Sequence, residues 1–425
     1  MPSSSSPLLI AMNRMEGHEI VAVTRKNQLT DLLVQENLPT GGSTAGNIYK
    51  GIVNAVVPHL QAAFLDIGVL KNGFLSIDNL VYRVVDRDTH RGGRRTMESL
   101  LREGDQLMVQ VEKEALGEKG PSLTTKISLP GRYVVFMPHG RGVHISRQIT
   151  QEKERKRLHE IAEEVFLKEG GYIIRTATSG RSKSDLRADA EYVHRIWKRI
   201  EREYERTEGI RLLHKELGVV ERALRDHYQK EVSAILVGSE EHRNRVCQFL
   251  RVIAPRTEVD RLVQKVDPKE VWRKSGVLER LKEIFSNRVR LESGGTLIIE
   301  EMEALTAIDV NSGKFSGGSG LDETIYKTNM EAAVEIPKQL RLRQIGGIIV
   351  IDFIDMRLKR HRDNVYRALE REMAHDRTPS DTLQFTEIGL VQITRQRTGR
   401  SLRQRLSSPC PHCKGAGFMP SLQFE

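Results

Sequence analysis

Three cysteines in 425 residues are too few for a disulfide framework, and one of them, Cys247, stands alone in an apparently helical stretch, where it reads as inert core. Long apolar runs are absent too. Nothing approaches the roughly 20 residues needed to span a bilayer, so membrane-crossing functions are excluded. The N-terminus, Met1–Met12, has four serines and then a short apolar run with no basic n-region, so no leader is read there and a cytoplasmic location is expected. Acidic residues are in the minority: 57 Asp and Glu against 67 Lys and Arg leave a net charge of +10. This favours a polyanionic partner, nucleic acid before anionic membrane. What is present is ordinary for a globular protein, 38% hydrophobic and 29% charged, and the length calls for several compact units.

The pattern divides the chain into six segments. Residues 1–46 hold two apolar runs, Leu8–Ala11 and Ile20–Val23, then a helix-like Leu29–Leu33 and a break at Gly41–Gly46. Residues 47–128 show short strands with tight turns at Ile48–Val57, Gln61–Ile67, Gly73–Ile77 and Gln106–Val111, the signature of a small β-barrel. Phe64 and Phe74 fall on successive strands of it, amid Lys50, Lys71, Lys113 and Lys119. Aromatics beside a basic groove suit stacking of unpaired bases, and two core phenylalanines are the competing reading. Residues 129–211 mix strands (Tyr133–Met137, Gly171–Thr176) with charged helices, one around Gln151–Glu169 and a long one from Leu186 whose Arg/Glu-laced end reads as a solvated face. Residues 212–285 add a strand, Val232–Val237, between helices; 286–405 alternate strand, helix and strand; 406–425 carry a cysteine pair and a short tail.

The most informative stretch is Leu297–Ile354. Ala304–Asn311 reads as a strand ending near Asp309, a Gly/Ser loop at Ser312–Gly320 leads to a helix from about Asp322 to Arg343, and Gly346–Asp355 is an apolar strand ending near Asp352. A continuous apolar run predicts a strand covered on both faces. The crossover makes the two strands parallel, so both carboxyl ends meet at one sheet edge, where α/β folds bind ligands. Two carboxylates brought together there, with no His or Cys nearby, suit hydrated Mg²⁺ acting on a phosphodiester, with Asn311 orienting a water or the scissile phosphate. Loop caps or helix N-caps are the alternative for each aspartate alone, but burial of both unpaired is costly. Asp322 and Asp355 read as a cap or a salt-bridge partner, and Pro337 is expected to kink the crossover helix.

Near the end, Pro409-Cys410-Pro411-His412-Cys413-Lys414-Gly415 is a C-x-x-C with a glycine turn, as in a zinc knuckle. Structural zinc takes four ligands and no second C-x-x-C exists in the chain. Three readings stay open: a Cys₄ zinc site shared by Cys410 and Cys413 of two chains, a site within one chain assisted by His412, or a redox pair. Upstream, Arg395, Arg397, Arg400, Arg403 and Arg405 form a basic run that tracks a phosphate backbone or is merely solvated surface.

Together the Ala-Ile-Asp-Val-Asn-Ser run at 307–312, the Gly-Gly-Ile-Ile-Val-Ile-Asp-Phe-Ile-Asp-Met run at 346–356 and Cys-Pro-His-Cys at 410–413 resemble the ribonuclease E/G family. The resemblance extends from Asn47-Ile48-Tyr49-Lys50-Gly51 to Gly417. It implies a multidomain α/β and β fold: an RNase H-like part in two segments (1–46 and 212–285), an OB-fold RNA-binding barrel (47–128), a 5′-sensor subdomain (129–211), a DNase I-like catalytic part (286–405) and a zinc-link with tail (406–425). The implied activity is Mg²⁺-dependent hydrolysis of single-stranded RNA, leaving a 3′-hydroxyl and a 5′-phosphate, in processing of ribosomal and transfer RNA and in messenger decay. Asp309 and Asp352 match the magnesium ligands and Asn311 the adjacent catalytic asparagine. Phe64, Phe74 and Lys119 match RNA-contacting positions of the barrel. Gly131, Val135, Arg175 and Thr176 match the pocket for a 5′-monophosphate, where a guanidinium, a hydroxyl and backbone N–H groups make good phosphate chemistry.

Two departures stand out. Leu116 occupies a barrel-loop position where a basic residue is expected, and no further small domain or long disordered tail follows the cysteines. The expectation is therefore a homodimer through shared Zn²⁺, without a scaffold for other enzymes, closer to the short ribonuclease G-like branch. A non-catalytic RNA-binding protein and a metal-dependent deoxyribonuclease are the rival functions.

Overall fold

The computed structural model describes residues 8–26, 28–36, 44–81, 96–115, 119–166, 169–228, 231–254, 257–313, 320–376, 378–397, 399–413, 415 and 417. They fall into two compact units, bounded by 1–26 with 33–271 and by 27–32 with 272–425. Leu116 and most of the loop at 312–320 lie outside the described residues.

In the first unit, the two apolar runs become β1 (Leu8–Met15) and β2 (His18–Arg25), antiparallel from Leu8↔Arg25 to Met15↔His18. Glu16 and Gly17 between them are both at positive φ, which a two-residue hairpin turn matching the strand twist requires. The helix-like Leu29–Leu33 is instead part of a strand, β3 (Gln28–Glu36). Leu29, Leu32 and Leu33 mimic helical spacing, but a period of five residues cannot nucleate a helix by itself, and pairing beside β2 decides the outcome.

The expected barrel closes. β4 (Ile48–Val57), β5 (Ala62–Asp66), β6 (Gly73–Ser76), α1 (Met97–Leu100), β7 (Gln106–Lys113) and β8 (Ser122–Thr124) follow in the chain. The strand order is β4-β5-β6-β8-β7, and β7 pairs back onto β4 from Ile48↔Gln110 to Ile52↔Gln106, which leaves no open edge. Val53, Leu65, Leu75, Val109 and Leu123 fill the interior, with Met97 and Leu100 of α1 packed against them.

A second sheet follows, with β9 (Leu129–Pro130), β10 (Val134–Met137), β11 (Gly142–Ile145), α2 (Glu152–Val165), β12 (Gly171–Ile174) and α3 (Lys183–Arg206). Its order is β11-β12-β10-β9. The charged α3 is amphipathic: Leu186, Ala190, Val193, Trp197 and Ile200 are buried in one cluster with Phe136 and Tyr172. Its start is set by a capping box, Ser182 Oγ accepting from the Asp185 N–H and the Asp185 carboxylate accepting from the Ser182 N–H. β13 (Arg211–His214) then adds to the barrel beside β4.

The chain next returns to its first sheet through α4 (Val219–His227), β14 (Val232–Val237), α5 (Glu240–Ile253), α6 (Val259–Leu262) and β15 (Val263–Lys265). β14 lies parallel to β1 and β15 parallel to β14, giving the order β15-β14-β1-β2-β3. One sheet is thus assembled from two chain segments separated by the barrel and the second sheet. Cys247 is buried on α5 beside Val246 and Leu250, in the core as expected.

After α7 (Pro268–Ser275) at the boundary, the second unit has α8 (Val277–Phe285), β16 (Arg288–Arg290), β17 (Thr296–Glu301), β18 (Leu305–Asn311), α9 (Leu321–Arg343), β19 (Gly347–Asp352), α10 (Lys359–Met373), β20 (Ser380–Thr382), β21 (Leu390–Arg395) and α11 (Leu402–Leu406). The sheet order is β16-β17-β18-β19-β21-β20. β18 and β19 are parallel across the α9 crossover, as expected, while β17 and β21 flank them antiparallel. α9 continues as one helix through Pro337. The expected cover on both faces of β19 is not found. Ile349 and Ile351 are buried with Ile336 and Leu340 of α9 and Leu369 of α10, but Ile348 is 50% exposed. Val350 on the same face is half-buried, so among the described residues this face is only partly covered; antiparallel neighbours need no crossover helix to bring a second layer. No helix among the described residues is long and apolar enough to cross a membrane.

Candidate functional site

β18 and β19 end together. Asp309 and Asp352 are register partners on parallel neighbours, one strand spacing of about 4.8 Å apart, so their side chains leave the sheet on the same face. That face is the open one: both aspartates are exposed, while Ile308 and Ile351 beside them are buried. Asn311, two residues further, shares the face, and its Nδ2 donates to Asp309 Oδ2 at 2.7 Å. The expected burial of both carboxylates is therefore corrected, and what argues for a cation is their mutual repulsion, not lost hydration. No Lys or Arg side chain pairs with either of them among the described residues. The donor set consists of two hard carboxylates and a neutral amide, open to water, and no group of three or more His, Cys, Asp or Glu that could cage a metal is found among the described residues. This fits a cation that keeps most of its own waters, as Mg²⁺ does.

The chain just beyond Asp352 is held by a residue the sequence reading passed over. Asn329 of α9 is fully buried, its Nδ2 donating to Ile354 O at 2.7 Å and its Oδ1 accepting from Ile354 N at 3.1 Å. The available signal was a polar residue on the apolar face that carries Ala332, Ala333 and Ile336. Next to this turn lies a cavity of about 880 Å³ walled by Phe353, Arg362, Tyr366 and Phe385 among others.

On the barrel, Phe64 and Phe74 are register partners with rings 5.7 Å apart, edge to face, and both are half-buried. Phe74 in turn aligns with Ser122, and Ser122 with Lys113. The four residues form one row across β5, β6, β8 and β7, with Lys113 exposed at its end. Lys119 is also exposed, just before β8. Lys50 does not belong to a basic groove: it is buried, its Nζ donating to the carbonyls of Tyr204 and Thr207 at the end of α3. A helix C-terminus offers unsatisfied carbonyls, and Lys50 answers them.

Gly131, Arg175 and Thr176 converge where β9, β10 and β12 meet. Arg175 Nη1 donates to Gly131 O at 2.8 Å and its N–H to Tyr133 O at 2.8 Å, while Thr176 Oγ1 lies 2.9 Å from Ser146 Oγ. Val135 is two residues along β10 from Tyr133 and half-buried. The Gly131 N–H is taken by Val134 O and the Thr176 hydroxyl donates to Gln148 Oε1 at 3.0 Å, so the donors left over belong to the Arg175 guanidinium. The turn is fixed by Asp189, whose carboxylate accepts the N–H groups of Arg132, Tyr133 and Val134. A Cβ at Gly131 would stand 2.5 Å from that carboxylate, which is why glycine is needed there. Arg175 Nη2 is also bonded to Asp226 Oδ1 at 2.6 Å. Burial opposes ionisation of Asp226, but Arg225 and Arg175 hold its carboxyl well below the usual range.

Cys410 is exposed and Cys413 half-exposed, both as free thiols. The Gly417 N–H approaches Cys413 Sγ at 3.4 Å, and the N–H groups of Gly417 and Gly415 lower the thiol below its ordinary value. His412 is exposed. In the basic run, Arg395 is a correction: it is buried, bonded to Asp376 at 2.8 Å and to Ile345 O at 2.7 Å, and cannot meet a phosphate backbone. Arg397, Arg400 and Arg403 are exposed.

The fold defines a mixed α/β protein that carries a closed five-stranded, OB-like barrel. Residues 128–398 match the model of the Ribonuclease E/G family. Ribonuclease G of Escherichia coli K12 is 39% identical over 381 residues, 89% of this chain and 78% of that protein. Ribonuclease G of Haemophilus influenzae is 37% identical over 417 residues, covering 97% and 84%. Ribonuclease E of Nostoc sp. is 38% identical over 415 residues, 96% of this chain but 59% of that longer protein. The chain belongs to the ribonuclease E/G family, and similarity to the ribonuclease G members covers most of its length.

Proposed function

We propose that this protein is an endoribonuclease that hydrolyses single-stranded RNA with the help of Mg²⁺ held at Asp309 and Asp352. The observation that carries the reading is the side-by-side, exposed placement of these two aspartates on parallel strands, with Asn311 bonded to one of them. When bound, the cation would supply Lewis acidity at a phosphodiester and an acidified water. The protein's part is positioning. Asn311 fixes the Asp309 carboxylate through one N–H of Nδ2, leaving its Oδ1 to accept from a water and the second N–H to donate to the scissile phosphate, and the Asn329 clamp holds the turn after Asp352. Family membership and the names of the relatives support RNA as substrate.

The reading extends to the fold: the sheet β15-β14-β1-β2-β3 is an RNase H-like part split by insertion, the barrel an RNA-binding OB-fold, residues 129–211 a 5′-sensor and the second unit a DNase I-like catalytic part. Cys410 and Cys413 are half of a zinc site completed by a second copy. RNA processing and decay in the cytoplasm are the corresponding roles.

The test uses the full chain and a single-stranded RNA, with a DNA of the same sequence alongside. Asp309→Asn and Asp352→Asn are each expected to lower cleavage in Mg²⁺ by at least about 100-fold, as expected when a charge-stabilising group is removed, with RNA affinity retained. EDTA should stop the wild type. Full cleavage by either variant would remove the aspartates from the mechanism, binding without cleavage in the wild type would point to an RNA-binding protein, and equal cutting of DNA to a deoxyribonuclease.

A further inference from the structure

The candidate 5′-phosphate pocket contains an acid that works against its own ligand. Arg175 reaches Asp226 through Nη2 at 2.6 Å and Gly131 O through Nη1 at 2.8 Å, with the two ion-paired side chains only 23% and 18% exposed. Asp226 is itself shared: Arg225 Nε reaches the same oxygen at 3.2 Å and Arg225 Nη2 the other at 3.3 Å, while Arg225 Nη1 bonds Glu216 Oε1 at 3.1 Å. A phosphate approaching the remaining N–H groups of Arg175 would therefore meet a cation whose charge is already partly neutralised. It would also meet a carboxylate one guanidinium's width away. In a half-buried site, where salt screens poorly, that repulsion is strong.

We propose that Asp226 is a specificity-setting residue that weakens the grip of Arg175 on a terminal phosphate dianion, fixing how strongly a 5′-phosphorylated end is preferred over a 5′-hydroxyl. This rests on reading Arg175 and Thr176 as the terminal-phosphate pocket. Two effects of Asp226 are separable. Its oxygen orients the guanidinium, which an asparagine carbonyl at the same place also does; its charge opposes the phosphate, which asparagine does not. Asp226→Asn therefore keeps the fork and removes the repulsion.

The experiment compares wild type and Asp226→Asn on one short RNA carrying either a 5′-monophosphate or a 5′-hydroxyl. The expected result is a KM for the phosphorylated RNA lower by about 3- to 10-fold in the variant, from one unit charge at close range, with kcat and both 5′-hydroxyl parameters unchanged. If the wild type prefers the phosphate but Asp226→Asn leaves that preference unchanged or reduces it, the inference fails and the pocket stands. If the wild type does not distinguish the two ends, pocket and inference fall together. Should Asp226→Asn not fold, Glu216→Gln serves instead: it removes the charge that competes with Asp226 for Arg225, which strengthens the Arg225–Asp226 pair and weakens the hold of Asp226 on Arg175. The same KM should then fall, and an unchanged or higher value overturns the proposal.

Discussion

Arg395 and Arg397 are two residues apart and identical in sequence, yet only Arg397 faces solvent. Arg395 ends β21 on the covered face, where Asp376 takes Nε and one Nη, Ile345 O the other Nη, and Thr378 Oγ1 a further hydrogen bond. With the two side chains 5% and 2% exposed, removing one partner leaves a charge with no water to turn to. Asp376→Ala should cost about 3–5 kcal/mol in urea unfolding, the usual penalty for stranding half of a buried pair. Asp376→Asn, which keeps an acceptor, should cost less. A loss under about 1 kcal/mol for Asp376→Ala would mean that Arg395 escapes to solvent. Such pairs are invisible in a linear pattern, because a basic run looks the same whether its members snorkel, pair or bind phosphate. Lys50 misleads for the same reason. Asp309 and Asp352 were readable because a topological rule, not a local pattern, predicts where two strand ends meet, although their exposure was not.

Elements bring together what spacing keeps apart. The row Phe64, Phe74, Ser122 and Lys113 needs β8, a strand of three residues that runs parallel to β6 and follows residues 116–118, outside the described part. The aromatics were visible on their strands; the alignment with Lys113 was not, since it passes through Ser122. β3 shows the opposite failure, a local helical spacing overridden by a neighbouring strand. If the row is the barrel's stacking surface, Phe74→Ala should weaken binding of single-stranded RNA by roughly 5- to 150-fold, corresponding to about 1–3 kcal/mol per stacked base. Lys113→Ala should instead lower the slope of log affinity against log salt by about 0.7, one phosphate contact on a single strand. Filter binding or fluorescence anisotropy across a salt series distinguishes the two. An unchanged affinity for Phe74→Ala, with the barrel folded, would return the pair to being core.

At the scale of the molecule, an excess of ten positive charges and a solvent-accessible pair of free thiols are the features that bear on partners. The strand pattern was partly readable: Val232–Val237 stands out as a strand, but nothing nearby indicates that its partner is β1. The cysteine pair poses a question of stoichiometry that one chain cannot answer. Zn²⁺ in a structural site takes four ligands in a tetrahedron, and the pair supplies two, one of them a thiol lowered by the Gly417 and Gly415 N–H groups and so readier to bind as thiolate. Two chains sharing one ion satisfy both counts. Sedimentation equilibrium should then give a dimer with about half a zinc per chain, since four thiolates complete one site. A zinc-selective chelator, with Mg²⁺ in excess, should convert it to monomer because the ion is the link. Cys410→Ser should do the same without chelator. One zinc per chain at unchanged mass would favour the single-chain site with His412, and a dimer that survives both treatments would show that other surfaces hold the two copies together.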